Sequence, residues 1–221
     1  MIGRIAGTLA VGAFMLVGGH GAASAAACTD TTVGALETPG FSCDQQDKTW
    51  SNFHFDPTGG ATALPTDATV AFSLVNIGGI DEHTITIQST TANPFALGTT
   101  YDLNYNIAIN GTGPAGETFV QVTGGLLLAA PQGTASLNKT ATGDVGGSVS
   151  FTATVADPSI SVPAPSGSTS LAVEDHLFTD TSNVTGFANT FSEAVLTPEP
   201  ASLLLLGGGV LGLGLIRRRR R

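Results

Sequence analysis

The sequence predicts an all-β fold, an antiparallel β-sandwich of jelly-roll or Ig-like (immunoglobulin) type, from three observations. The first is composition: the 170 residues from Cys28 to Thr197 hold 29 threonines, 18 glycines and 9 prolines, with two lysines and no arginine. β-Branched threonine suits a pleated surface and glycine and proline punctuate it, which favours strands joined by tight turns over helices. The second is apolar residues at every other position, the period of a half-buried strand. The third is regular interruption by turn residues, at 57–60, 78–79, 93–94, 110–116 and 143–147.

In chain order, segment 48–56 carries Trp50, Phe53 and Phe55, whose rings supply the apolar area of a first core strand. Segment 69–76 alternates Val70, Phe72 and Leu74, and 83–89 sets Ile85 and Ile87 among threonines. The most regular is 99–110: Tyr101, Leu103, Tyr105, Ile107 and Ile109 share one face, and Asp102, Asn104, Asn106 and Ala108 the other. Segment 146–156 alternates Val149, Phe151, Ala153 and Val155, and weaker strands are predicted at 117–128, 134–142, 170–178 and 184–195. The Pro-, Ser- and Gly-rich stretch 157–170 reads as a loop. Residues 171–197 are too few for a core of their own, so their strands return to the same sheets and the body 28–196 is one domain.

Outside the body, both ends read as addresses. Arg4, an apolar run from Ile5 to Val17 and a small-residue exit (Ala23-Ser24-Ala25 or Ala25-Ala26-Ala27) predict a secretory signal peptide helix over 1–27. Cys28 comes directly after it. A lipid-modified cysteine needs a Leu-x-x lead, and Ala25 stands at that position. Cys43 is the only other cysteine, so in an exported chain Cys28 and Cys43 are expected to form a disulfide.

At the other end, Pro198-Glu199-Pro200 leads into the apolar run 201–216 and then Arg217, Arg218, Arg219, Arg220 and Arg221. As a transmembrane helix the run would reach about 24 Å, short of a hydrocarbon core of about 30 Å. Arginine stems extending to the interface make up part of the difference. The arginines also hold that end cytoplasmic, leaving the acidic body outward. The prolines keep Glu199 in an extended, accessible stretch.

This three-part ending resembles the PEP-CTERM sorting signal of exported bacterial proteins. The resemblance rests on Pro198-Glu199-Pro200, the Ala-Ser-Leu directly after it, the short Gly-rich span and the arginine cluster; Thr197 stands where the family often has Val. It implies recognition by an exosortase, a membrane transpeptidase-like enzyme that cuts near the Pro-Glu-Pro. It further implies transit through the inner membrane of a Gram-negative, exopolysaccharide-producing bacterium to the cell surface or extracellular matrix. Pro198, Glu199 and Pro200 would be the recognition residues, and Arg217 to Arg221 the topology signal. The segment from Asp47 to Phe53 is similar to the start of many exported proteins bearing that signal.

Candidates for chemistry are sparse. The body sets 16 acidic residues against Lys48 and Lys139, a balance that repels nucleic-acid backbones and anionic lipid. Three histidines stand beside acids, at His54-Phe55-Asp56, Asp81-Glu82-His83 and Glu174-Asp175-His176, yet no spacing such as His-Glu-x-x-His is present. Oxygen ligands for Ca²⁺ are available at Asp44 to Asp47, Asp81-Glu82 and Glu174-Asp175, without the repeated Asp pattern of a dedicated loop. There is no Gly-x-Ser-x-Gly elbow, no Cys-x-x-Cys and no phosphate-cradling glycine loop.

The expectation is therefore a non-enzymatic envelope or matrix protein. It would have no catalytic residue, resident metal or cofactor, with Ca²⁺ as the one ion to consider. Its partners would be an exosortase-type enzyme and exopolysaccharide. Two alternatives make different demands. A carbohydrate-binding module with an aromatic platform needs Trp50, Tyr101 or Tyr105 exposed on a sheet face. An exopolysaccharide-active enzyme needs two carboxyl groups converging on one bond.

Overall fold

The computed structural model describes residues 25–55, 61–92 and 94–195. The predicted signal-peptide run, the apolar span 201–216, Pro198-Glu199-Pro200 and Arg217 to Arg221 lie outside them. Among the described residues no helix is long and apolar enough to cross a membrane.

Two sheets make up the body. One takes β1 (Ala26–Ala27), β3 (Ser42–Gln45), β4 (Lys48–His54), β7 (Thr100–Ile109), β12 (Ser170–Phe178), β9 (Ser136–Gly143) and β10 (Ser148–Thr154), side by side in that order. The other runs β11 (Ser159–Pro163), β8 (Glu117–Leu128), β13 (Val184–Val195), β6 (Ile80–Gln88), β5 (Thr69–Ile77) and β2 (Thr31–Thr32). One short helix, α1 (Val33–Leu36), comes after β2. Pairing between strands is antiparallel throughout except for β1 on β3.

Turn chemistry accounts for the hairpins. Gly78 and Gly79, with φ of +64° and +87°, connect β5 to β6 in the conformation that a two-residue hairpin turn requires. The alternating rows then face one another. Trp50 of β4 meets Phe72 of β5 and Phe191 of β13 at centroid distances of 5.6 and 5.7 Å, and Tyr105 of β7 stacks on Phe53 at 5.5 Å. Such aromatic contacts are each worth about 0.5–1.5 kcal/mol beyond the area they bury. In β4 the pairing with β7 shifts register between Ser51 and His54, and Asn52 takes φ +55°. This bulge turns Phe53 inward after Trp50, so both rings reach the core.

The structure departs from the sequence reading in three places. The expected loop 157–170 contains strand β11, whose Pro163 is tolerated because β11 is a sheet edge. No strand is predicted before residue 48, yet β2 and β3 form there, and Ala26 and Ala27 pair with Cys43 and Asp44. The predicted alternation of β5 fails at its far end, where Leu74, expected inward with Val70 and Phe72, is 39% exposed beside Val75 and Ile77, which are uncovered as well.

Candidate functional site

Polar side chains at inward-facing positions define the site. Lys48 shares the inward row of β4 with Trp50, and His83 shares that of β6 with Ile85 and Ile87. Glu193 ends the inward row of β13 after Phe187 and Phe191, and Glu117 opens β8 two residues before Phe119. Asp47 lies in the tight β3–β4 turn. All five converge and all five are buried.

The Lys48 ammonium is the hub. Its Nζ stands 2.8 Å from Asp47 Oδ1 and 3.7 Å from Glu117 Oε2, and it pairs closely with Glu193 Oε2. His83 Nε2 lies 2.9 Å from Glu193 Oε1 and 3.6 Å from Asp47 Oδ1, and Nδ1 is 3.3 Å from Gln45 Oε1. Trp50 Nε1 donates to that same Gln45 oxygen at 3.3 Å. Asp47 Oδ2 and Glu117 Oε2 crowd the space over Gly113, where a β-carbon would come within 2.2 and 2.4 Å of them. Glycine at 113 therefore leaves room for two acids to meet.

Burial sets the protonation pattern. It drives the Lys48 pKa down against the pull of Asp47 and Glu117. It also pushes Glu117 up to about 7, helped by its hydrogen bond with Asp47. Burial acts against Asp47 as well, but the contacts with Glu117 and Lys48 outweigh it and hold this carboxyl below its usual value. His83 falls to about 4 because it is buried and faces the Lys48 ammonium, so it is a neutral imidazole at pH 7.

Three acids therefore surround a single ammonium, which occupies the space between them. Asp47, His83 and Glu193 each bring one ligand atom within 4.8 Å of the others, a donor set that fits a transition ion better than Ca²⁺ because it includes imidazole.

The three body histidines do not come together. His83 is inside, whereas His54 and His176 lie on the outer face of the larger sheet. There, His176 Nδ1 pairs closely with Asp102 and Nε2 lies 3.0 Å from Glu174. The adjacent acids Glu174 and Asp175 project to opposite faces, Glu174 exposed and Asp175 buried, so they form no common ligand set. Among the Asp44 to Asp47 oxygens, Asp44 accepts from Thr49 Oγ1 at 2.6 Å and Asp47 belongs to the lysine cluster.

That outer face holds a shallow depression of about 200 Å³ lined by Asn52, Asn104, Asn106, Thr140, Thr142 and Glu174, among others. No aromatic platform accompanies it: Trp50, Tyr101 and Tyr105 are 0%, 4% and 1% exposed, packed in the core. Cys28 and Cys43 are joined by a disulfide with their Cα atoms 4.8 Å apart, which ties the entering chain to β3.

Reading acids as solvated charge missed the buried cluster, since Asp47, Glu117, Asp175 and Glu193 are all inside. The available signal was strand parity. A lysine two residues before an inward tryptophan points inward too, and it requires partners.

Comparison with known proteins finds a PEP-CTERM protein-sorting motif at residues 196–221. No curated protein matches the chain. Among solved structures, the chain is similar to the enzymatically active domain of bacteriophage CBA120 tailspike protein 4, with 9% identity and a TM-score of 0.29. That match covers 68% of this chain and 19% of the tailspike domain, so the chain spans about a fifth of its length. It is also similar to the CBM22-1 xylan-binding domain of Paenibacillus barcinonensis Xyn10C, with 12% identity, a TM-score of 0.28, and coverage of 80% and 99% of the two chains. Scores this low carry neither protein's activity across.

Proposed function

Because residues 196–221 carry a PEP-CTERM sorting motif, which implies an exported chain handled by an exosortase-type enzyme, we propose that the body is a non-enzymatic protein of the cell surface or extracellular matrix. The motif is the observation that carries this reading. In transit the apolar run 201–216 tethers the chain, Arg217 to Arg221 stay cytoplasmic, and the enzyme acts at Pro198-Glu199-Pro200. Delivery leaves an acidic sandwich outside, hydrated by its charge and in contact with exopolysaccharide.

Two features support a non-catalytic role. In the cluster around Lys48, Asp47, Glu117 and Glu193 are each less than a tenth exposed, out of reach of a polymer. Lys48 also occupies the space between them, where a reacting bond or an ion would have to sit. Polysaccharide contact is assigned to the polar face around Asn104, Asn106, Thr140 and Glu174, by hydrogen bonding and not by ring stacking.

The deciding experiment is the mass of the mature protein recovered from cells and medium. A chain ending near Pro198 to Pro200 is expected. A chain that keeps Arg217 to Arg221 in the membrane fraction would make this a plain anchored ectodomain and overturn the sorting step.

A further inference from the structure

Three inward rows each carry a polar side chain flanked by apolar neighbours. On β9 it is Lys139, between Leu137 and Ala141. On β12 it is Asp175, between Val173 and Leu177. On β13, in the opposite sheet, it is Asn189, between Phe187 and Phe191. None of the three is more than 1% exposed. Lys139 and Asp175 are direct cross-strand partners. Lys139 Nζ donates to Asp175 Oδ1 at 3.0 Å, and Asn189 Nδ2 donates to Asp175 Oδ2 at 2.5 Å. A single carboxylate thus holds a primary amine and a carboxamide side by side across the sandwich.

The surroundings are apolar and fitted to the lysine. Its Nζ lies 5.2 Å from the ring centroid of Phe191 and donates to Tyr105 Oη at 3.4 Å. The lysine stem passes Gly124, the strand neighbour of Asn189, where a β-carbon would stand 3.2 Å from Lys139 Cδ. Burial lowers the pKa of Lys139 and raises that of Asp175, and both shifts favour moving the proton from ammonium to carboxylate. Asn189 Oδ1 is buried with no hydrogen-bond partner. A half-turn of the amide sets that oxygen against Asp175, where the protonated acid donates to it and polarises Cγ.

We propose that Lys139 and Asn189 condense into an intramolecular isopeptide bond, with Asp175 as the catalytic residue that moves the protons. Asp175 takes a proton from the Lys139 ammonium, leaving a lone pair on Nζ. That pair attacks Asn189 Cγ to give a tetrahedral centre. Asp175 gives its proton to Nδ2 and takes another from Nζ, the Cγ–Nδ2 bond breaks, and ammonia leaves. Asp175 keeps the remaining proton and ends as a neutral acid, so neither charge of the pair is left in the core. No oxidant, reductant or co-reactant is consumed. Holding amine and amide on one carboxylate removes the entropic barrier to their encounter. The product also removes a charged pair whose desolvation the core otherwise has to bear. This bond rests on the core alone and does not depend on the sorting route.

The test is to purify the full chain, denature and reduce it, and digest it with trypsin. Once acylated, Lys139 is no longer a substrate, so no cleavage between Lys139 and Thr140 is expected. Digestion at glutamates should then give the peptide 118–174 joined to 175–193, lighter than the two together by one ammonia. A succinimide at Asn110-Gly111 also costs one ammonia, but it leaves Lys139 open to trypsin, so the two are told apart. The variant Asp175→Ala keeps both reacting groups and should restore cleavage after Lys139. A branched peptide that persists in Asp175→Ala would overturn the role of Asp175. Recovery from the unaltered chain of the tryptic peptide ending at Lys139, with no branched peptide, would overturn the bond itself. That reading needs no variant to fold.

Discussion

Lys48 and Lys139 are the only Lys or Arg residues between residues 28 and 197, both are fully buried, and they meet opposite surroundings. Lys48 sits at one end of the sandwich among three carboxyl groups and a neutral imidazole, so it is outnumbered and acts as a resident counter-ion. Lys139 sits among aromatic rings with a single carboxylate, so its charge is balanced one for one, and the remaining neighbour is an amide. The same residue type is electrostatic in the first place and poised for covalent chemistry in the second. What separates them is the number of acids within reach.

The largest effect is expected at Asp175. Replacing it by Ala strands the Lys139 ammonium in the core and is expected to cost about 3–5 kcal/mol, read as a fall in the midpoint of denaturant unfolding. Lys48→Met is expected to cost about 3 kcal/mol by leaving the carboxyl groups unopposed. It should also make the melting temperature respond to added Zn²⁺ or Ca²⁺ and to chelation. A variant indifferent to both ions would refute the counter-ion account of Lys48.

Smaller effects come from the periphery. Reducing the Cys28–Cys43 disulfide should cost about 2–3 kcal/mol, since it closes a short loop in the unfolded chain. His176→Gln should cost less than about 1 kcal/mol, because this side chain is 42% exposed and its ion pairs are screened. Burial acts to lower the pKa of His176, but Asp102 and Glu174 outweigh it and raise it above the ordinary 6.5. A raised histidine stabilises the fold fully below the unfolded value, and the gain fades as pH rises through the folded one. The difference between native and variant melting curves should therefore be present at pH 5–6 and vanish in alkaline buffer.

Strand periodicity made most of the fold legible in advance. Segment 99–110 alternates without interruption, and it forms β7 with Tyr101, Leu103, Tyr105 and Ile107 inside. β11 was hidden because Ser159 to Pro163 is short and contains a proline that only an edge position permits. Which strands would be neighbours was also hidden. β7 lies between β4 and β12, and β13 between β8 and β6, pairings that join residues far apart in the chain. For that reason neither cluster could be assembled from the sequence. Lys139, Asp175 and Asn189 each break an apolar row in their own strand, so three separate anomalies were readable, but nothing local says that they occupy the same depth.

With both lysines inside, the outside of the described body presents carboxylates and no ammonium or guanidinium group. In the language of colloids it is a polyanion bead that lacks sticker sites of opposite sign. Two such beads, or a bead and an acidic polysaccharide, repel over distances set by the ionic strength, about 8 Å in physiological salt. A gel built from them swells as salt is diluted and contracts when divalent ions bridge its carboxylates, so its porosity follows the ionic composition of the surrounding water.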